Sequence, residues 1–188
     1  MARELGNLCY NVPGESIYGE ITLNSIRQLT QYFSFPDDDW IHIVDIGSGA
    51  GYMLCNFAQC LLELGSERKI HLTGYEISAE RARLSREIIP QLLEKDCKDM
   101  IEWEIYQADI QKQTMLPRTV THAVSFDKTF TPALLAHMEK LQRSCPSLTN
   151  VVSNHKYPEK YWDLVARVPC KLRGSSQVMS FFVYKKKT

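Results

Sequence analysis

A strand that ends in a run of glycines is the feature that most constrains how this chain can fold. Residues 40–47 read WIHIVDIG, an alternating and β-branched pattern that is typical of a buried strand. Gly47, Gly49 and Gly51 follow at its end, and a helix is predicted from there to about residue 64. Glycine adopts positive φ and lets the backbone approach a ligand closely. This strand–turn–helix unit therefore predicts a ligand site at the carboxyl end of the strand.

Strands and helices alternate through the rest of the sequence. The predicted strands are 69–76, 101–109, 121–127, 148–153, 162–168 and 178–186, and the predicted helices are 22–33, 78–93 and 132–142. Single helical crossovers join parallel strands, whereas the last two strands have no helix between them and predict an antiparallel hairpin at one edge. The sequence therefore predicts an α/β, Rossmann-like fold with about seven strands, mostly parallel, and helices on both faces.

Charge, hydropathy and cysteine content exclude several classes of protein. Lys and Arg number 22 and Asp and Glu also number 22, so the net charge is zero and we expect no sequence-specific nucleic-acid binding. No apolar run approaches the roughly 20 residues that cross a bilayer, so no membrane association is expected. The six cysteines include no CxxC pair, which predicts free thiols in a reducing compartment and no metal site.

Three acidic residues stand at the predicted ends of three consecutive strands. Asp45 precedes the glycine turn, Glu76 ends the second strand and Asp109 ends the third. A dinucleotide-binding turn would require glycine where Tyr52 stands, and a carboxylate beside the turn would repel a pyrophosphate. The same carboxylate suits a cation such as a sulfonium or an α-ammonium group. This pattern, from about residue 40 to 186, resembles the class I S-adenosylmethionine-dependent methyltransferases.

The order of motifs narrows the resemblance to one family. SIYGE (16–20), an amphipathic helix, PDDD (36–39), DIGSGAG (45–51) and GYE (74–76) follow one another along the chain. This order resembles the disruptor-of-telomeric-silencing family, the non-SET lysine methyltransferases that modify the core face of histone H3. The resemblance implies S-adenosyl-L-methionine as cofactor, S-adenosyl-L-homocysteine as product, histone H3 in the nucleosome as partner, and a nuclear location, with a cytoplasmic one as the alternative.

The resemblance also implies which residues bind the cofactor. Tyr18, Gly19 and Glu20 would form a lid, with Glu20 at the α-ammonium group. The remaining positions would line the methionine, ribose and adenine moieties in turn: Asp45, Gly47, Ser48 and Gly49; Glu76; and Asp109 with Ile110. Residues 1–35 would then be an N-terminal arm, lid loop and helix, and residues 36–188 the catalytic domain.

On the acceptor side, the resemblance points to FDKTFTP (126–132), VSNHKY (152–157) and KLRGSSQVMSFFVY (171–184). Asp127 and Phe130 are the candidate catalytic residues there, together with Tyr18 of the lid. Phe130 would wall a lysine channel. Asp127 replaces an asparagine of the family, and its role stays open: it could accept a proton, orient the amine, pair with Lys128 at the rim, or cap the following turn.

Two alternative functions also remain open at this stage. These 188 residues include neither the large N-terminal helical portion nor the basic segment with which larger members of the family hold nucleosomes. It could therefore methylate a lysine of a non-histone protein. It could also be a cofactor-binding pseudoenzyme that regulates a true methyltransferase.

Overall fold

The computed structural model describes residues 20–35, 40–93 and 99–187, in which a seven-stranded sheet runs in the order β3-β2-β1-β4-β5-β7-β6. Strands β1 to β5 are parallel, and β7 lies antiparallel between β5 and β6. The strands are β1 (Trp40–Ile46), β2 (Lys69–Glu76), β3 (Ile101–Gln107), β4 (His122–Val124), β5 (Asn150–Ser153), β6 (Trp162–Lys171) and β7 (Val178–Lys186). The predicted α/β class and the antiparallel hairpin at one edge are confirmed.

Four α-helices and one short 3-10 helix connect these strands in the described residues. They are α1 (Leu23–Thr30), α2 (Tyr52–Glu63), α3 (Ala79–Leu92), the 3-10 helix Ile110–Lys112 and α4 (Pro132–Ser144). Hydroxyl side chains cap three of them, since Thr22, Ser78 and Thr131 each accept a hydrogen bond from the first turn. Ser78 is the cap that the sequence predicts. Helix α1 is shorter than the predicted 22–33, because Thr22 is its cap and the chain turns after Thr30.

The helices cover both faces of the sheet, as predicted. On one face α1, α2 and α3 place Ile26, Phe57 and Ile89 in a cluster with Ile43 and Leu72 of the central strands. On the other face α4 buries its apolar side chains against the alternate residues of the same strands, among them Met138, Leu141, Val44 and Val151. Full burial of each such side chain stabilises the fold by about 1.5–3 kcal/mol.

Helix α1 belongs to the same core as the sheet. The Phe33 ring stacks on Phe57 of α2 with centroids 5.5 Å apart. Just beyond it, the Ser34 amide and hydroxyl donate to Asn150 Oδ1 at 2.9 and 2.8 Å. The segment ahead of residue 36 is therefore packed onto β5 as well as onto α2.

Strands β4 and β6 differ most in length from their predictions, while β3 and β5 are each two residues shorter than predicted. Strand β4 covers three residues where 121–127 is predicted, because the chain beyond Ser125 turns towards β5. Strand β6 extends to Lys171, three residues past its predicted end, because β7 pairs with it as far as Lys171↔Val178. Pro169 is tolerated there since β6 is an edge strand, where a missing N–H costs no ladder bond.

The cysteines behave as buried thiols where the structure describes them. Cys55, Cys60, Cys145 and Cys170 are free and buried, as predicted, and Cys9 and Cys97 lie outside the described residues. Burial raises the pKa of the Cys55 thiol to about 12. In the part of the chain that is described, no helix has the length and apolar character to cross a bilayer. Nor do those residues place three or more His, Cys, Asp or Glu side chains where they could hold a metal ion.

Candidate functional site

A cavity of about 1150 Å³ opens at the carboxyl ends of the parallel strands. This is where ligands bind in open α/β sheets. We call one side the acidic wall, formed at the ends of β1, β2 and β3 by Ile46, Gly47, Tyr75, Glu76, Asp109 and Ile110. We call the other side the aromatic wall, formed by the segments after β4 and β5 and by β7, with Phe126, Lys128, Phe130, Asn154, Ser180 and Phe182.

The glycine turn forms the middle of the acidic wall. Gly47 has φ +80°, and its amide donates to the Tyr75 carbonyl at 2.8 Å, which pins the turn to β2. A Cβ at Gly47 would lie 2.8 Å from Cζ of Phe130. The turn therefore presents backbone here, and the ring of Phe130, which also lines the cavity, lies directly against it.

Glu76 is held rigidly at the end of β2. Its side chain is almost fully buried and accepts from the Gly49 amide at 2.8 Å and from the Ser78 amide at 2.9 Å. Each carboxylate oxygen has a further lone pair, so the group can still accept from ligand hydroxyls. The two predicted residues Gly49 and Glu76 are thus joined by a direct hydrogen bond.

Asp45 lies beneath the glycine turn and does not line the cavity itself. It is 1% exposed, and neither carboxylate oxygen has a hydrogen-bond partner among the described residues. Burial, followed by the negative charge of Glu76, holds the pKa of Asp45 well above its usual value. A cation bound at the turn would favour the ionised carboxylate, whereas an anion there would oppose it.

The remaining predicted residues of the turn and of β3 take different positions. Ser48 is buried, and its hydroxyl oxygen lies 2.6 Å from where a Gly74 Cβ would be, so it faces β2 and not the cavity. Asp109 lines the cavity and caps the 3-10 helix, accepting from the Gln111 amide at 2.9 Å. Ile110 lines the cavity beside it and is buried.

Glu20 reaches the cavity and is paired there with an arginine. Its side chain is 6% exposed, and one oxygen lies 3.3 Å from Nη1 of Arg173 in the β6–β7 turn. The Arg173 amide also donates to the Glu20 carbonyl at 2.8 Å. Tyr18 and Gly19, the other two residues of the predicted lid, lie outside the described residues.

Asp127 does not occupy the position that a channel residue requires. Its carboxylate is fully buried and is absent from the cavity wall. It accepts from the hydroxyls of Ser125 at 3.1 Å and Ser153 at 2.5 Å and from the Asn154 amide at 2.8 Å. Oδ1 also lies 3.2 Å from His155 Nδ1. The side chain therefore ties the end of β4 to the end of β5, and does not pair with Lys128 or cap its own turn.

Several cavity residues are not singled out by the sequence. Arg173, Asn154 and the phenylalanines Phe126 and Phe182 lie in segments that the family resemblance assigns to the acceptor side, but it gives none of them a role of its own. For Asn154 a usable signal exists, since it directly follows a strand at the carboxyl edge of the sheet. Arg173 carries no such signal, because its partner Glu20 is 153 residues away in sequence.

Known proteins were compared with this chain by sequence and by structure, and only the structural comparison finds similar proteins. No protein-family model matches the sequence, and no curated protein matches it. A methyltransferase from Aquifex aeolicus, described as SAM-dependent, matches with a TM-score of 0.56 and 13% identity, over 88% of this chain and 90% of that one. The methyltransferase domain of bacterial CtHen1-C matches with a TM-score of 0.56 and 12% identity, over 89% of this chain and 100% of that one.

A third likeness is to the mitomycin 7-O-methyltransferase MmcR, with a TM-score of 0.56 and 13% identity over 88% of this chain. The chain spans about half the length of that enzyme, 54%, and of other matched structures. At such identities the likeness establishes the fold. The chain has the Rossmann-like fold of the S-adenosylmethionine-dependent methyltransferases, and its resemblance to the disruptor-of-telomeric-silencing family stays a prediction from the sequence motifs.

Proposed function

We propose that this chain is an S-adenosyl-L-methionine-dependent methyltransferase. The observation that carries the proposal is the row of acidic residues, Asp45, Glu76 and Asp109, at the ends of three neighbouring strands beside one glycine turn. A cationic, ribose-bearing ligand in the cavity would contact Glu76 and Asp109 and would lie near the buried carboxyl group of Asp45. The shared methyltransferase fold supports the same reading.

The residues present fit this cofactor. Gly47 presents backbone groups to the cavity, where the methionine moiety would lie, and the buried carboxyl group of Asp45 beneath the turn would favour a cation there. Glu76 would accept from the ribose hydroxyls, and Asp109 with Ile110 would hold the adenine. When bound, S-adenosyl-L-methionine supplies a methyl group on a sulfonium, which makes that methyl electrophilic.

For the acceptor, we propose the ε-amine of a protein lysine, with histone H3 in the nucleosome as the preferred substrate. The family resemblance supports this choice, and so does the chemistry of the aromatic wall. Phe126, Phe130 and Phe182 line it, Lys128 adds a positive charge, and none of the residues that define it is acidic.

Such a wall favours the reactive form of the amine. Deprotonating a lysine with a pKa of ~10.4 at pH 7 costs about 4–5 kcal/mol. Desolvation against phenylalanine rings lowers that pKa, and the positive charge of Lys128 acts in the same direction. The neutral amine nitrogen forms the new N–C bond as the S–C bond breaks, and the proton of the product leaves to water.

The test is methyl transfer from radiolabelled cofactor to three substrates: nucleosomes, free histone octamers and a whole-cell extract. Label on H3 supports the histone assignment, whereas label on another protein alone replaces it with a non-histone substrate. Glu76→Ala should abolish labelling and cofactor binding, because it removes the carboxylate that Gly49 and Ser78 hold at the cavity. Glu87→Ala, at a glutamate 53% exposed on α3, is the matched control.

Calorimetry on the same samples separates the remaining possibilities. Cofactor binding without label on any protein would favour the regulatory, pseudoenzyme alternative. Absence of cofactor binding by the wild-type chain would contradict the proposed function as a whole.

A further inference from the structure

The ion pair at the edge of the cavity suggests how an amino-acid head group is held. We propose that Glu20 and Arg173 separate on ligand binding and clamp the zwitterion of the cofactor's methionine moiety, Arg173 binding the α-carboxylate and Glu20 the α-ammonium. This inference rests on the proposed function. It adds a binding residue, Arg173, and a resting pair that the ligand must open.

The ion pair lies beside the glycine turn. The Arg173 guanidinium carbon lies 5.2 Å from the ring centroid of Tyr52, the first residue of α2. Tyr52 directly follows Gly51, which closes the turn. Arg173 and the amino end of α2 thus present positive charge to the same region, where a carboxylate ligand is favoured.

The contact between the two charged groups is long. Arg173 Nη1 lies 3.3 Å from Glu20 Oε2. Charge-assisted bonds of this kind are ordinarily about 2.7–2.9 Å long, and the strongest arginine–carboxylate pairs are bidentate. Arg27 and Glu63 form such a bidentate pair on the surface, with contacts of 2.7 and 2.9 Å. The Glu20–Arg173 contact is therefore longer than those of the surface pair, which leaves ligand groups able to form shorter hydrogen bonds with each side chain.

The main chain around the pair stays joined when the side chains separate. The Arg173 amide donates to the Glu20 carbonyl at 2.8 Å, and the Thr22 amide donates to the Lys171 carbonyl at 3.0 Å. Ile21 and Leu172 form an antiparallel bridge between these two bonds. The two side chains can rotate while this short ladder holds their backbones in place.

Charge balance favours exchange over simple opening. Glu20 is almost buried, so an ionised carboxylate there needs a counter-charge at all times. A zwitterion offers one positive and one negative group together. When it enters, Glu20 exchanges the guanidinium for an ammonium and Arg173 exchanges the carboxylate of Glu20 for that of the ligand, so the net charge of the site is unchanged.

The experiment compares two ligands that differ only in the part that the pair would bind. S-adenosyl-L-homocysteine carries the amino-acid head group, and 5′-methylthioadenosine lacks it. Calorimetry should show that Arg173→Gln lowers the affinity for S-adenosyl-L-homocysteine about 10- to 100-fold, because one charge-assisted contact is lost. The affinity for 5′-methylthioadenosine should stay within about 2-fold of wild type. Arg27→Gln, which breaks the surface pair, should change neither affinity.

Cofactor analogues that lack either the carboxylate or the amino group show which side chain binds each of these two groups. Decarboxylated S-adenosylmethionine should bind Arg173→Gln and wild type alike, whereas Glu20→Gln should weaken it. An S-adenosylhomocysteine analogue without the amino group should show the opposite pattern. Thermal denaturation without ligand reports whether each variant is folded, and Arg173→Lys, with an intermediate affinity expected, replaces Arg173→Gln if that variant is not.

Three results would overturn the inference. If Arg173→Gln bound S-adenosylhomocysteine as tightly as wild type does, the proposed contact between Arg173 and the α-carboxylate would be wrong. An equal loss for both ligands would mean that the variant loosens the cavity in general. If wild type binds neither ligand, the proposed function fails together with the clamp, whereas binding of both with no effect of Arg173→Gln leaves the proposed function standing.

Discussion

At the scale of single residues, Gly47 and Gly65 illustrate two different needs for glycine: a positive φ angle, and space for a neighbouring side chain. Their φ values are nearly equal, +80° and +75°. A Cβ at Gly65 would meet no atom within 4 Å, whereas at Gly47 it would lie 2.8 Å from the Phe130 ring. Gly65 is needed for its backbone conformation alone, and Gly47 also makes room for the Phe130 ring at the cavity wall.

We therefore predict different outcomes for Gly47→Ala and Gly65→Ala. Each should lower the free energy of unfolding by about 1–2 kcal/mol, the cost of a left-handed conformation with a Cβ. Only Gly47→Ala should also weaken the binding of S-adenosylhomocysteine, because the new methyl group displaces the Phe130 ring into the cavity. Urea denaturation and calorimetry measure the two effects, and equal ligand affinities of the two variants would contradict the prediction.

We predict that Asp45 releases a proton when the cofactor binds. Burial and the charge of Glu76 raise the pKa of Asp45 in the ligand-free chain, and a bound sulfonium cation lowers it again. Binding of S-adenosylmethionine should therefore release a proton in the pH range between these two pKa values. The binding enthalpy should then vary with the ionisation enthalpy of the buffer, and Asp45→Asn should remove that variation. An unchanged buffer dependence in the variant would rule Asp45 out as the source.

At the scale of secondary-structure elements, Asp127 compensates for a short strand. Strand β4 is three residues long, and the carboxylate of Asp127 bonds the segment after it to Ser153 and to the Asn154 amide at the end of β5. This single side chain thus replaces ladder bonds that a longer strand would make. It also sets where Asn154 and the rest of the aromatic wall begin.

We predict that Asp127→Ala destabilises the fold by about 3–5 kcal/mol, because several buried donors lose their acceptor. Asp127→Asn, which keeps one acceptor oxygen, should cost less, about 1–3 kcal/mol. S-adenosylhomocysteine affinity should stay near wild type in the folded variants, since the acidic wall is untouched. Urea denaturation and calorimetry provide the measurements, with Asp163→Asn, at a carboxylate 63% exposed, as the control. A stable Asp127→Asn variant without methyl transfer would instead indicate a proton-accepting role.

Local patterns predict the elements well and their connections poorly. The bounds of β2 and β7 agree with the sequence to the residue, and Ser78 caps α3 as expected, because alternation and capping depend on neighbours in sequence. The glycine turn and the carboxylates at the strand ends are found for the same reason. The direction of the Asp127 side chain and the pairing of Glu20 with Arg173 depend on strands that meet only in the folded sheet.

At the scale of the whole molecule, two buried histidines connect stability to pH. His42 and His122 lie on the adjacent strands β1 and β4 and are 3% and 0% exposed. Burial lowers the pKa of each to about 3, with the nearby His71 adding to the effect on His42. Because the unfolded chain binds these protons near pH 6.5 and the folded chain does not, stability is full above that pH and is lost as pH falls towards 3.

The expected loss is about 2 kcal/mol per histidine at pH 5, relative to pH 7 and above. Asp45 acts in the opposite direction, since its raised pKa makes the folded chain bind a proton more tightly than the unfolded one. Urea denaturation from pH 7.5 to 4.5 is therefore best done in the Asp45→Asn background, where the histidines act alone. A flat unfolding free energy over this range would contradict the prediction.

The place of β7 in the sheet has a consequence for how the chain is made. Although β7 is the last described strand in sequence, it lies between β5 and β6, so β6 has no strand of the sheet to pair with until the residues up to Lys186 have been synthesised. During translation, β1 to β3 can already assemble the acidic wall, while the side of the cavity that β7 closes is missing. The acidic wall can therefore form first during translation, and the β7 side of the cavity forms only after β7 has left the ribosome.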